Sequence, residues 1–345
     1  MPSNPTKILL LITMVSGALV SMSSNSWFSA WMGLEVNLMS FIPLMSNVKN
    51  MYNTEASLKY FIVQVLASAT LMLTVTMKAT VQGMFTHVET YSYSTSMLIC
   101  TPLLMKTGAA PLHWWFTGVM EGLSWENCML LMTIQKAAPL MLMSYSIENN
   151  MFTMTIIMSS VIIGAIGGLN QTSIRKILAY SSINHMGWLL MAMITSESMW
   201  VMYFAMYSLL VTTVVTTIKL SSVSFINQTI LTNKESMTMK LMMFTALLSL
   251  GGLPPFLGFV PKWLVIQGMI NNNLAPMATL MAIVSLITLY YYLKVCYSSF
   301  LILNTEPKWN LQSQKISTKT LYKAMALSTI SLTGALLCTT LTNVM

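Results

Sequence analysis

Residues 92–120 read SYSTSMLICTPLLMKTGAAPLHWWFTGVM, an apolar run holding one charge, Lys106, and one interruption, Gly108-Ala-Ala-Pro111. A straight helix crosses about 30 Å of hydrocarbon in about 20 residues, so this run is too long for one regular crossing. A second run of the same kind, residues 238–270, contains Gly251-Gly-Leu-Pro-Pro255 and then Pro261-Lys262. Each is either one pass with a broken helix or two short passes. The choice sets the orientation of everything between them.

Working outward, the other apolar runs long enough to cross are 5–22, 26–48, 58–80, 125–146, 151–169, 174–195, 199–222, 275–303 and 322–343, making eleven candidate passes. Polar punctuation separates them, as at Ser21-Met-Ser-Ser-Asn-Ser26, Asn149-Asn150, Asn170-Gln-Thr-Ser173 and Asn271-Asn-Asn273. Membrane chains concentrate Lys and Arg in the loops of one side. With each long run taken as a single pass, the N-terminal side collects Lys7, Lys49, Lys59, Arg175, Lys176, Lys219, Lys234, Lys240, Lys308, Lys315, Lys319 and Lys323, and the other side only Lys78. Splitting both runs carries the five residues from Arg175 to Lys240 across and leaves seven against six. The asymmetry selects broken single passes, with the N-terminus on the positive side and the C-terminus opposite.

Composition agrees. Of 345 residues, 55% are hydrophobic and 8% charged, where globular chains carry about 25% charged. A water-facing surface cannot be built from so few charges, and the chain reads as an all-α polytopic membrane protein. It has no aspartate and a single arginine, which disfavours carboxylate-rich metal sites and aspartic dyads. The net charge of +8 is spread along loops rather than interleaved with aromatics, so nucleic acid is not the partner. Cys100, Cys128, Cys296 and Cys338 lack CxxC spacing and read as buried apolar thiols. The 35 methionines are spread evenly and read as apolar filler. No Arg-rich presequence is visible; Met1 to Lys7 runs straight into the first apolar stretch.

Five charges remain inside passes: Glu35, Lys106, Lys136, Lys262 and Lys294. A charge near the bilayer centre costs at least about 2.5–3.5 kcal/mol. Lys136 sits too deep, and Glu35 is both deep and too short, for the head to snorkel to an interface. Lys106 and Lys262 lie beside the proline breaks, where unwound backbone is tolerated only if it lines protein or water. Lys294 has Tyr290, Tyr291, Tyr292 and Tyr297 nearby, so an interfacial belt competes with a functional role. Lys106 and Lys136 are 30 residues apart, Lys262 and Lys294 32, and matching members lie five passes apart. An odd number of passes inverts the second copy. The pattern is that of two inverted five-helix repeats with discontinuous helices, 1–146 and 147–303, followed by a loop and C-terminal helix over 304–345.

Burial disfavours an ammonium and a neighbouring carboxylate favours it, so a buried lysine whose partner moves or changes charge becomes a switchable proton site. Among the histidines, His87 reads as a loop residue. His113, after the first break, and His185, in Tyr180-Ser-Ser-Ile-Asn-His185, are candidate relays, with a hydrogen-bonded interior histidine as the alternative.

The chain resembles the chain 2 family of mitochondrial NADH–ubiquinone oxidoreductase (respiratory complex I), antiporter-like membrane subunits, in its arthropod versions. The resemblance rests on Trp31-Met-Gly-Leu-Glu-Val-Asn37, Thr54-Glu-Ala-Ser-Leu-Lys-Tyr-Phe61, Lys106-Thr-Gly-Ala-Ala-Pro-Leu-His-Trp-Trp115, Gly164-Ala-Ile-Gly-Gly-Leu-Asn-Gln-Thr-Ser173, Tyr180-Ser-Ser-Ile-Asn-His-Met-Gly187, Leu250-Gly-Gly-Leu-Pro-Pro-Phe-Leu-Gly-Phe259 and Pro261-Lys-Trp263. It implies a proton-translocating membrane-arm subunit lacking three N-terminal helices of bacterial relatives. It carries the family's central polar positions onto Glu35, Lys106, Lys136 and Lys262, with Lys294, His113 and His185 as further relay candidates. It also implies the mitochondrial inner membrane, with the N-terminus in the matrix and the C-terminus facing the intermembrane space. The partners it implies are other membrane-arm subunits, lipids, and ubiquinone as substrate of the whole complex.

The chain has no GxGxxG after a strand and no CxxC cluster. Flavin, iron–sulfur clusters and NADH are therefore expected in partner subunits, with no cofactor or metal here. Two other functions compete with redox-driven proton translocation: a stand-alone cation/proton antiporter, for which the lack of aspartate is unfavourable, and a structural spacer, which leaves five intramembrane charges without a purpose.

Overall fold

The computed structural model describes residues 5–46, 50–82, 93–231, 237–300 and 318–342. The fold is all helical, with an isolated bridge between Ser173 and Phe225 as the β contact among the described residues. Among the described residues, seven helices are long and apolar enough to cross a membrane. Inside hydrocarbon every backbone N–H and C=O must find its partner within the protein, which leaves a chain of this composition little choice but helix. The chain forms two compact units, Met1–Ser160 and Val161–Met345.

The first unit holds α1 (Pro5–Met22), α2 (Trp27–Met45), α3 (Met51–Gln82), α4 (Tyr93–Thr107), α5 (Trp114–Gly122), α6 (Trp125–Met132), α7 (Ile134–Ser144) and the start of α8 (Met151–Leu169). Ser26 caps α2 by accepting from the Ser29 N–H at 3.3 Å. Helices α1 and α2 meet backbone to backbone: a Cβ on Gly33 would lie 2.6 Å from the Ser21 nitrogen, and one on Gly17 2.8 Å from the Asn37 nitrogen. Small residues supply such closeness where lipid gives helices no hydrophobic reason to associate.

The first long run is a broken helix. It stops at Thr107 because Gly108 turns left-handed at φ 73°, with the Gly108 and Ala109 N–H groups both returning to the Leu104 carbonyl. The chain resumes as α5 at Trp114, and Ser159 of α8 covers the break by donating to the Ala110 carbonyl at 3.1 Å.

The second unit holds the rest of α8, α9 (Ile174–Thr195), α10 (Glu197–Ser221), α11 (Ile226–Leu231), α12 (Met237–Gly251), α13 (Phe259–Asn271), α14 (Ala275–Phe300) and α15 (Thr318–Thr342). Helix α9 is its centre: every side chain from Ser181 to Met193 is buried, the mark of a helix surrounded on all sides. The second long run repeats the device of the first. Helix α12 ends at Gly251, Gly252 takes φ 81°, and Pro261 falls in the first turn of α13, where its missing N–H costs nothing.

One local expectation needs correction. The run 125–146 reads as one uninterrupted pass but is cut at Thr133, with φ −112° and ψ −80°. The cause is legible afterwards: Pro139 has no N–H for the Gln135 carbonyl four residues earlier, and the Thr133 hydroxyl donates back to the Met129 carbonyl at 2.7 Å. The polar stretch after α10 contains the short helix α11. Lys78, placed at the interface by the loop arithmetic, is buried at 5% exposure near the end of α3. His87 lies outside the described residues.

Candidate functional site

In the first unit the two lysines of the broken segment and of the following pass come together. Lys106, in the last turn of α4, and Lys136, in the first turn of α7, are 6% and 2% exposed and line one cavity of about 20 Å³. A water needs about 10–15 Å³, so the cavity these two side chains line is large enough for one water. The remaining polar lining is Asn37, Tyr60, Gln64, Thr107 and Gln135, drawn from α2, α3, α4 and α7.

The surroundings explain how such a site survives in an apolar protein. The last carbonyls of a helix lack intrahelical donors and carry partial negative charge. Those of α4 are met by side chains: Trp115 Nε1 donates to the Met105 carbonyl at 3.0 Å and Gln64 Nε2 to the Lys106 carbonyl at 3.4 Å. Lys106 itself adds a cation to that negative end. Lys136 Nζ lies 4.7 Å from the centroid of the Phe116 ring, a contact worth about 2 kcal/mol when desolvated. Gln135 donates from Nε2 to Asn37 Oδ1 at 2.9 Å and accepts from the Tyr60 hydroxyl at 3.2 Å. The Tyr60 ring is held edge-on between Phe41 and Trp115, at 5.4 and 5.8 Å.

Glu35 sits apart from this cavity. It is half-buried on α2 and lines an open groove of about 870 Å³ against α3, with Trp31, Met39, Phe61 and Ser68. Its carboxylate is near enough to act on the Lys106 ammonium through space, yet among the described residues no ion pair joins them. His113 is buried in the break between α4 and α5, its Nδ1 3.2 Å from the Pro111 carbonyl oxygen and its ring stacked on Trp114 at 4.9 Å. It does not line the cavity.

The second unit builds its own polar centre around α9. Lys262, on α13 and 5% exposed, donates from Nζ to the Gly251 carbonyl at the end of α12. Its ammonium lies 5.9 Å from the Trp188 ring centroid. One turn earlier on α9, His185 Nδ1 is 3.0 Å from the Tyr203 hydroxyl, and its ring is 5.1 Å from that of Tyr207. Among the described residues Asn184 Oδ1 and Trp188 Nε1 are buried without a hydrogen-bond partner; such atoms are the usual seats of ordered water. Lys294 stands differently. It is exposed on α14, while Tyr291 and Tyr292 beside it are buried. The spacing that matched it to Lys136 does not extend to its surroundings.

The charges stand out in the sequence; the neutral polar groups around them do not: Asn37, Tyr60, Gln64 and Gln135 in one unit, Tyr203, Tyr207, Asn184 and Trp188 in the other. A signal existed. Tyr60 and Gln64 are four apart and share a face of α3, Gln135 adjoins Lys136, and Asn37 follows Glu35 by two.

Residues 24–288 match the family described as NADH:quinone oxidoreductase/Mrp antiporter, TM. NADH-ubiquinone oxidoreductase chain 2 of Anopheles gambiae is 48% identical over 306 residues, 88% of this chain and 89% of that protein. The protein of the same name from Locusta migratoria is 43% identical, over 98% of this chain and 97% of its own length. Among solved structures, a chain of respiratory complex I from Thermus thermophilus with bound aureothin superposes with a TM-score of 0.86 at 22% identity, covering 98% of this chain and 79% of that one. A chain of the Mrp complex from Dietzia sp. DQ12-45-1b gives 0.81 at 16%, covering 96% and 75%. At those identities the structures speak for the fold; the insect sequences speak for the family. A chain built on two broken helices, each with a buried lysine at its break, belongs to the NADH:quinone oxidoreductase/Mrp antiporter family, in its NADH–ubiquinone oxidoreductase chain 2 branch.

Proposed function

We propose that this chain is a proton-translocating membrane-arm subunit of a mitochondrial NADH:ubiquinone reductase, in which electron transfer by partner subunits drives protons past buried lysines. The observation that carries the reading is the meeting of Lys106 and Lys136 at one buried, water-sized cavity. A proton passes from the Lys106 ammonium to the cavity water as that water gives a proton to a neutral Lys136. Glu35, in the groove on α2, sets the charge felt by Lys106 and so gates the step. Lys262, seated on the end of α12, is the corresponding station of the second unit, with His185 and its tyrosine partners beside it. His113, held in the first break, is a candidate for proton exchange there. Moving one charge against 100 mV takes about 2.3 kcal/mol, an amount that changes in one neighbouring charge can supply at this depth.

The wider reading has about eleven passes, two inverted five-helix repeats over 1–146 and 147–303, and a final loop and helix over 304–345. The loop charges support a matrix-side N-terminus and an intermembrane-space C-terminus. The chain's described cysteines, Cys100, Cys128 and Cys296, are buried single thiols that do not fit a cluster site. Flavin, iron–sulfur clusters and NADH are assigned to partner subunits, ubiquinone to the complex as substrate, and lipid to the exposed apolar faces.

A stand-alone cation/proton antiporter is the alternative, favoured by the Mrp-like fold. Purified chain and intact complex, each in liposomes, separate the two. The expected result is NADH-driven proton uptake by the complex and no sodium- or potassium-driven proton exchange by the chain alone. Cation-driven exchange by the isolated chain supports the alternative.

A further inference from the structure

Gln135 carries no charge and no part in the chemistry just described, yet its amide is hydrogen-bonded at both ends beside the cavity. It is 9% exposed, stands second in α7 immediately after the Thr133 break, and joins three helices. Its Nε2 donates to Asn37 on α2 and its Oε1 accepts from Tyr60 on α3. Both partners are themselves buried, at 3% exposure each. With the amide engaged at both ends, the Tyr60 hydroxyl donates to Gln135, and its oxygen keeps acceptor capacity beside the cavity that Tyr60 lines.

We propose that Gln135 is a positioning residue for proton transfer between Lys106 and Lys136, acting through Tyr60 on the water between them. The inference rests on the reading of that pair as donor and acceptor. The water accepts a proton from Lys106 Nζ and releases one of its own to Lys136 Nζ, so that an ammonium and an amine exchange identity and the water is regenerated. Tyr60 accepts the water's other hydrogen and keeps its own proton, which Gln135 holds. The phenol thus orients the carrier without becoming one. Gln64 is tied by its amide nitrogen to the Lys106 backbone carbonyl at 3.4 Å.

The test uses the intact complex in liposomes, with Gln135→Met and Tyr60→Phe. Each preserves shape and removes one member of the pair. The expected result is coupled turnover lowered by up to about a hundredfold, as a misplaced reacting group produces, with a raised solvent deuterium isotope effect. The double variant should be no slower than the slower single one, because both act through one hydrogen bond. Normal assembly with unchanged turnover and isotope effect in either variant overturns the proposal. If Gln135→Met fails to assemble, Tyr60→Phe decides alone: a normal isotope effect there makes the clamp merely structural and sinks the inference. Lys136→Met, run alongside, separates this from the underlying reading. Pumping lost with Lys136→Met and intact with Gln135→Met refutes the positioning role only; pumping intact in both refutes the pair itself.

Discussion

Lys262 donates a 2.9 Å hydrogen bond from Nζ to the carbonyl oxygen of Gly251, the last residue of α12 and eleven positions before it in the chain. The ammonium thereby closes the end of one half-helix from the first turn of the other. The negative end of α12 and the buried cation satisfy each other, and the link is short because Gly252 turns back with φ 81°. Lys106 reaches a like position from its own helix, in the last turn of α4 before Gly108.

Gly252→Ala should damage this seat twice. A side chain at positive φ costs about 1–2 kcal/mol, and the new Cβ would stand 3.1 Å from Lys262 Nζ. We expect a lowered thermal midpoint of the assembled complex together with reduced proton uptake per NADH oxidised. Gly251→Ala is the control: its Cβ would meet Tyr292 at 3.5 Å, an ordinary contact, and both quantities should stay near wild type.

Gly33→Ala should disturb the first unit through packing alone. Its Cβ would lie 2.6 Å from the Ser21 backbone nitrogen, which cannot swing aside. Overpacking of this kind costs about 1–3 kcal/mol, so less complex should assemble on a native gel. Gly118→Ala, with nothing within 4 Å of its Cβ, should assemble normally.

Phe116→Leu removes the ring face beneath Lys136 while keeping an apolar filler. The contact lies at 4.7 Å, and its loss removes about 2 kcal/mol of support for the ammonium. Coupled turnover should fall several-fold, and Phe116→Tyr, which keeps the ring, should retain most of it.

Lys294→Leu should leave proton uptake per NADH unchanged, because the side chain faces outward from α14. Lys262→Leu should reduce it sharply. Equal losses in proteoliposomes would restore Lys294 to the relay.

Much of this was legible in the sequence, for identifiable reasons. A lysine in hydrocarbon is costly enough to declare itself, so Lys106, Lys136 and Lys262 stood out, and glycine with proline marked both breaks. Position along a helix fixes depth but not which face is covered, so the burial of Lys78 and the exposure of Lys294 could not be read from the sequence. The break at Thr133 is not legible because no glycine marks it and Pro139 lies six residues beyond the kink. Tyr60, Gln64 and Gln135 carry no charge, so burial of each costs little enough to pass for filler until three helices are seen to converge on them. The sequence does not tell how Glu35 stands to Lys106; it lies in the open groove beside α3 and acts on Lys106 at a distance.

The central claim is that Lys136 carries protons across a hydrated gap from Lys106. The most direct test is the number of protons translocated per electron pair by the reconstituted complex carrying Lys136→Met, which keeps the length of the side chain and removes its charge. The predicted result is assembled complex with a reduced ratio and slowed NADH oxidation. A wild-type ratio at wild-type turnover would contradict the account.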